Sequence, residues 1–266
     1  MTSTYLLADS ATMLRRNFLH AMRYPSMTLV VAAIPIIFYL IFVYVFGSTL
    51  GNGLPGSPAG GAGGREAYIA YVTPGVLLFG IIGGTQSTAI TVSMDMTTGI
   101  ISRFRTMSIP RGAVLAGHVI GSVVVTMLTL LAVVAVALIT GFRPTTGPME
   151  WLAAFGLLAL VSFAFTWISV GFGLVSKTVE AASNLPMPLI ILPFLSSAFV
   201  PTDSMPGPLA WFAENQPFTP IIETLRGLML GTPIGSSALI SIAWCAVIAL
   251  GGYLWSMRLY NRDPIR

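Results

Sequence analysis

Residues able to do chemistry are few in this chain, and they are scattered. His20 and His118 are the only histidines and Cys245 is the only cysteine; neither histidine has a serine or cysteine partner nearby in the sequence. No group of His, Cys, Asp and Glu has metal-ligand spacing, and no carboxylates are paired within an apolar run, so nucleophilic, metal and proton-coupled chemistry all lack their residue sets. Two stretches touch on phosphate-binding patterns. The glycine-rich run at 47–66 follows no strand and precedes no Lys-Ser/Thr pair, and Ser176-Lys177-Thr178 lacks the glycine that should come before the lysine, so both read as loops. What remains is mechanical. Residues 95–110 lie between two long apolar runs and, as a helix, put Ile100, Phe104 and Met107 on one face and Ser102, Arg105 and Thr106 on the other, with Arg103 at the border. Gly99 releases the preceding run and Pro110 stops the short helix. A cationic, two-faced segment tethered at both ends to membrane spans suits pushing against a soluble partner.

Composition places those runs in lipid. The chain is 55% hydrophobic and only 8% charged, with a mean hydropathy of +0.85. Soluble domains carry about a quarter charged residues, so this chain cannot cover a globular surface with water-facing groups. The net charge of +4 does not indicate nucleic acid, because all but Arg65, Arg143 and Arg226 of the thirteen Lys and Arg residues fall on one side of the expected membrane. That asymmetry places both termini in the cytoplasm. Cys245, alone in an apolar run, has no partner for an intrachain disulfide and reads as a buried small residue.

Apolar runs and breakers predict an all-α integral membrane protein of six transmembrane helices in a single domain covering residues 1–266. Residues 5–23 form an amphipathic helix in the cytoplasmic interface, either an anchor or a second contact for a cytoplasmic partner. Spans one and two occupy 28–94, with Pro35 kinking the first and a flexible external loop at 47–66. In the first span Phe38, Tyr39 and Phe42 are open to lining a path for an apolar or aromatic substrate, whereas Tyr44 and Phe46 read as an interfacial belt. Spans three to five occupy 111–199, and span six occupies 238–257, followed by a basic tail. Stripes of small residues (Gly80 and Gly84 with Ser87 and Thr91; Ala113, Gly117 and Gly121; Ser162, Thr166, Ser169 and Gly173) suit close helix packing in lipid. Pro186, Pro188 and Pro193 interrupt the fifth span, Ala182 to Phe199, and free carbonyls that neighbours or a cavity must satisfy. Residues 200–235 hold two apolar pieces too short to cross a bilayer. They read as an external re-entrant hairpin punctuated by Pro201, Asp203, Pro206, Pro217 and Pro220, with Glu223 and Arg226 three apart and expected to pair as a structural ion pair or a gate.

Several motifs point to a family. Asp95-x3-Gly99-Ile100-x2-Arg103-Phe104-Arg105-x-Met107-x-Ile109-Pro110 with Ala113-Val-Leu-Ala-Gly117, Tyr71-Val-Thr-Pro-Gly75, Phe194-Leu-Ser-Ser-Ala-Phe-Val-Pro-Thr-Asp-Ser-Met-Pro206 and Glu214-Asn-Gln-Pro-Phe-Thr-Pro220 together resemble ABC-2-type permeases of the daunorubicin-resistance group, in order and over nearly the whole chain. Ser108 stands where that group often has proline. The resemblance implies the ABC-2, or type V exporter, fold. It also implies an exporter in the bacterial cytoplasmic membrane, built from two permeases (a homodimer or a pair of paralogues) and two copies of a separate ATP-binding subunit. This chain would bind no cofactor and no nucleic acid, and ATP and Mg would sit on the partner. Residues 95–110 would be the coupling helix seated in the ATPase. On the 5–23 interface helix, Leu14, Arg15, Arg16 and Phe18 would clasp the same subunit. An apolar path would open between the permeases, with Phe38, Tyr39, Phe42, Gln86, Phe194 and Phe199 as candidates for its lining. Composition alone also admits a substrate-less membrane scaffold or a lipid-modifying enzyme.

Overall fold

Hydrocarbon offers no water to a backbone N–H or C=O, so a chain this apolar must satisfy those groups within helices. The computed structural model describes residues 25–53, 62–98 and 111–261, and every regular element among them is helical. The expected interface helix at 5–23, with Leu14, Arg15, Arg16 and Phe18, lies outside the described residues. So do Gly99, Ile100, Arg103, Phe104, Arg105, Met107 and Pro110, residues 54–61 of the glycine-rich loop, and 262–266 of the tail.

Helix α1 (Pro25–Ile41) continues through one π-helical turn (Phe42–Phe46) into α2 (Gly47–Gly51). Then come α3 (Ala62–Thr97), α4 (Arg111–Thr140), α5 (Pro148–Val175), two short pieces α6 (Val179–Asn184) and α7 (Met187–Ile191), α8 (Gly207–Asn215), α9 (Phe218–Leu230) and α10 (Ser237–Asn261). Among the described residues, five helices are long and apolar enough to cross a bilayer: Ala32–Gly51, Gly64–Thr97, Leu115–Thr140, Pro148–Val175 and Ser237–Asn261. The stretch expected as a fifth span, Ala182–Phe199, is not a continuous helix. Its prolines divide it into α6, α7 and a 3-10 turn at Leu192–Leu195, because each removes a backbone donor and clashes with the preceding turn.

Helix α3 is the hub. Its apolar window is 72% buried, against 22% for α1 and 17% for α10. Small residues let its neighbours approach closely. Gly80 faces Leu130 and Gly84 faces Thr126, and Thr88 Oγ1 donates to Ser122 Oγ at 2.8 Å, so α3 and α4 run antiparallel. The stripe on this face therefore continues through Thr88, not through Ser87 and Thr91, and it packs within the chain. Helix α5 runs parallel to α3: Ser169 Oγ donates to Thr85 O at 2.5 Å, and one turn further on Gly173 lies against Ala89 O. Helix α10 packs on the other side of α5, where Gly252 meets the backbone at Trp167 and Ile168 and Ser256 Oγ donates to Trp167 O at 2.9 Å.

Two apolar clusters result. The larger joins α1, α3, α4, α5 and α9. The smaller gathers Val92, Leu115, Val119, Trp167, Val170 and Tyr260 at the end of the bundle where residues 95–110 begin. Below, that end is the near end and the other is the far end.

Close packing makes these glycines testable. A Cβ at Gly173 would come within 2.7 Å of both Ala89 O and Val92 Cβ, whereas one at Gly156 on the same helix meets nothing within 4 Å. Gly173→Ala is expected to destabilise the detergent-purified protein by about 1–3 kcal/mol, and Gly156→Ala to leave its thermal unfolding midpoint unchanged or slightly raised. Equal midpoints for the two variants contradict the packing described here.

Candidate substrate path and its anchoring

The first span carries phenylalanines at positions 38, 42 and 46, each four residues from the next, which stacks them along one face. Phe38 and Phe42 are 4.9 Å apart between ring centroids, and Phe42 and Phe46 are 5.5 Å apart across the π-helical turn. Helix α3 adds Phe79, stacked on Phe38 at 4.8 Å. The interrupted stretch contributes two more. Phe194 and Phe199 stack on each other at 4.9 Å, and Phe199 lies 4.7 Å from Phe42 while Phe194 meets Phe38 edge-on at 5.5 Å. Six rings from three elements thus form one continuous cluster. It is graded from inside to outside, since Phe199 is 5% exposed, Phe194 37% and Phe46 43%. Such a wall offers π faces and apolar edges and no charge, which suits planar or greasy molecules.

Four of the six expected lining residues, Phe38, Phe42, Phe194 and Phe199, meet here. Tyr39 does not join them. It is fully buried on the neighbouring face of α1, and its hydroxyl shares a 3.1 Å hydrogen bond with Thr140 Oγ1 at the far end of α4. Gln86 is also used structurally, its Nε2 donating to Ser183 O at 2.8 Å. Phe79 escaped the sequence reading because it is a single aromatic in a long apolar run, with nothing in its spacing to mark it.

Proline interruption explains the polar groups beside the rings. Carbonyls released from the helical pattern are met by side chains from elsewhere. Gln86 donates to Ser183 O, while Ser93 Oγ, at 3.3 Å, shares the Thr178 carbonyl with the Ala182 N–H. Gln216, between α8 and α9, donates from Nε2 to Leu195 O and, at 3.4 Å, to Leu192 O. Arg226 of α9 donates from Nη2 to Ser197 O at 2.9 Å and to Tyr71 O at 3.3 Å, with its guanidinium carbon 3.9 Å from the Tyr71 ring centroid. The expected Glu223–Arg226 pair is therefore replaced. Arg226 turns to backbone carbonyls of α3 and the interrupted stretch, and Glu223 Oε2 accepts from Ser237 Oγ at 3.3 Å. A planar fork with several donors can serve two carbonyls and a ring face at once, which a carboxylate partner alone would not require.

Residues 200–235 take up their turns where prolines allow. Pro201 precedes a 3-10 turn holding the exposed Asp203, Pro206 precedes α8, Pro217 caps α9 and Pro220 sits in its first turn. Phe218, at the start of α9, stacks on Phe165 in the middle of α5 at 5.3 Å. At the other end, Thr145 Oγ1 donates to Leu230 O and Thr146 Oγ1 to Leu228 O, both at 2.7 Å, satisfying carbonyls that a helix C-terminus leaves open. Gly231 supplies the left-handed cap.

Of the expected coupling residues, Asp95 alone lies among the described ones. Its Oδ2 is 3.3 Å from His118 Nε2, with side-chain exposures of 13% and 5%, so the contact ties the last turns of α3 to α4 at the base of the 95–110 stretch.

The comparisons with known proteins agree with this architecture. The family described as "ABC-2 type transporter" matches residues 10–230, and the chain belongs to that family. It is 29% identical over 262 residues to the daunorubicin resistance ABC transporter permease protein DrrB1 of Streptomyces coeruleorubidus, covering 96% of this chain and 87% of that protein. It is 22% identical over 186 residues to the probable doxorubicin resistance ABC transporter permease protein DrrC of Mycobacterium tuberculosis, covering 70% of this chain and 67% of that one. The chain is thus a multi-pass membrane permease, the transmembrane subunit of an ABC transporter whose ATP is hydrolysed on a separate subunit.

Anchoring by Arg226 can be measured. Arg226→Lys keeps the charge but loses the fork and the ring stack, and is expected to cost about 1–3 kcal/mol of stability. Glu223→Gln, which keeps an acceptor for Ser237 Oγ, should cost less. The order of the two thermal unfolding midpoints is the readout, and the reverse order contradicts the anchoring role.

Proposed function

We propose that this chain exports planar or amphiphilic apolar compounds across a bacterial cytoplasmic membrane, driven by ATP-binding partners that grip residues 95–110 and 5–23. The observation that carries this reading is the six-ring cluster, where α1, α3 and the interrupted stretch converge beside a hairpin pinned by backbone contacts. Its apolar, uncharged character suits the class of compound in the relatives' names.

In this reading the chain crosses the membrane six times. The interrupted stretch makes the fifth crossing, because Thr178 lies beside Ser93 and Ala198 beside Gly75. Those contacts separate 18 residues of α3 (93 − 75), about 27 Å at the helical rise, close to the hydrocarbon thickness of about 30 Å. An even number of crossings puts both termini on one face, in keeping with the excess of Lys and Arg on the near side and a cytoplasmic near end. The α8–α9 pair is then a hairpin entering from the outer face, with α9 about 20 Å long and its first residue reaching the middle of α5.

Two permeases, identical or paralogous, flank the path, and two ATP-binding subunits carry ATP and Mg. Closure of the ATPases rocks the permeases about their packed seams, and the rings pass the substrate toward the hairpin. Asp95–His118 supports this reading by joining the base of the coupling segment to the near-end cluster.

Phe104, the aromatic residue on the apolar face of 95–110, is the sharpest test. Phe104→Ala in the complex is expected to lower substrate-stimulated ATP hydrolysis by roughly tenfold, the order of effect when an aromatic anchor is truncated at an interface, with both subunits still present in the membrane. Unchanged stimulation excludes the coupling role.

A further inference from the structure

Three buried polar atoms remain without a partner at one place in the fold: Ser197 Oγ, Gln216 Oε1 and Arg226 Nε. Ser197 is 3% exposed and Gln216 6%. All three groups are gathered on Leu195–Ser197. Gln216 holds the carbonyl of Leu195, Arg226 holds that of Ser197, and Thr219 Oγ1 accepts from the Ser197 N–H at 3.3 Å. This stretch lies between Phe194 and Phe199, whose rings stack on each other and close the ring cluster. An apolar wall and a set of unpaired hydrogen-bonding groups are therefore joined through the four residues between Phe194 and Phe199.

Each orphaned buried polar group costs about 1–3 kcal/mol, and several together in a native fold call for something that fills them, such as a ligand, a bound water or an ion. The backbone at this point is already satisfied by Gln216, Arg226 and Thr219, so the orphaned atoms are not needed to mend the proline breaks. Their chemistry is also complementary. Arg226 Nε–H donates, Gln216 Oε1 accepts, and a serine hydroxyl does either.

We propose that Ser197, Gln216 and Arg226 form a polar recognition subsite next to the phenylalanine cluster. It takes the oxygen-bearing edge of a flat amphiphile whose apolar body lies on the rings. The ligand presents both an acceptor, for the guanidinium N–H, and a donor, for the amide oxygen. The guanidinium selects a neutral or anionic edge and disfavours a cationic one. This proposal rests on the substrate path described above and adds the selection rule to it: ring area alone binds weakly, and ring area with hydroxyl and carbonyl groups at one edge binds well.

Ser197 is the residue to change, because its hydroxyl does no other work, whereas Gln216 and Arg226 also hold backbone. The test measures binding of two probes of equal ring size, a dihydroxyanthraquinone and anthracene, to the permease–ATPase complex in lipid nanodiscs, by fluorescence. The wild type is expected to prefer the dihydroxyanthraquinone. Ser197→Ala should weaken that probe about fivefold, the order of one lost hydrogen bond, leave anthracene unchanged, and unfold at the same temperature as the wild type or slightly higher. A merely structural serine would shift both probes together or neither, and either result overturns the subsite. So does a wild type that does not distinguish the probes. ATP hydrolysis and nucleotide-dependent conformational change, measured in the same samples, report on the permease reading separately. If they persist while the probe preference is absent, the selection rule falls and the ATP-driven path stands.

Discussion

The structure depends on a single constraint: no backbone carbonyl can be left unpaired in hydrocarbon. Five long helices meet it with their own turns, except where Pro35 and Pro74 each remove one donor. The stretch from Val179 to Phe199 cannot, because Pro186, Pro188 and Pro193 remove donors where a sixth helix would need them. Gln86 of α3 and Gln216 and Arg226 of the α8–α9 region supply donors instead. The position of the hairpin follows from this, since two of the three donors are its own side chains.

The ring cluster grows out of the same break. A regular helix would spread Phe194 and Phe199 over different faces, whereas the 3-10 turn and the bend after it bring the two rings into stacking contact and against Phe38 and Phe42. The π-helical turn at Phe42–Phe46 acts in the same way on α1, absorbing an extra residue while keeping Phe42 and Phe46 in contact. Irregular backbone is thus concentrated where the rings meet. At the near end, among the described residues, an apolar cluster joins α3, α4, α5 and α10, and Asp95 meets His118.

Much of the candidate site was readable from spacing. The phenylalanines of α1 repeat every four residues, and the prolines of the interrupted stretch announce carbonyls in need of partners. The Glu223–Arg226 reading went astray for an instructive reason. Three-residue spacing permits a pair on an isolated helix, but α9 is buried on the side that carries Arg226, and two carbonyls and a tyrosine face were already there. Tyr39 and Gln86, expected to line the path, each bond a distant structural partner instead, Thr140 and Ser183.

The amino-acid order alone determined membrane residence, the continuous spans, the places where helices must break and the family, because these follow from composition, period and the local effects of glycine and proline. Tertiary structure alone decided which donors serve the broken stretch, that Phe79 completes the ring cluster, and that Ser197, Gln216 and Arg226 come together. Those outcomes depend on which faces meet among segments as far apart as Tyr71 and Arg226, 155 residues distant. No local periodicity encodes such a meeting; the packing of the whole bundle selects it.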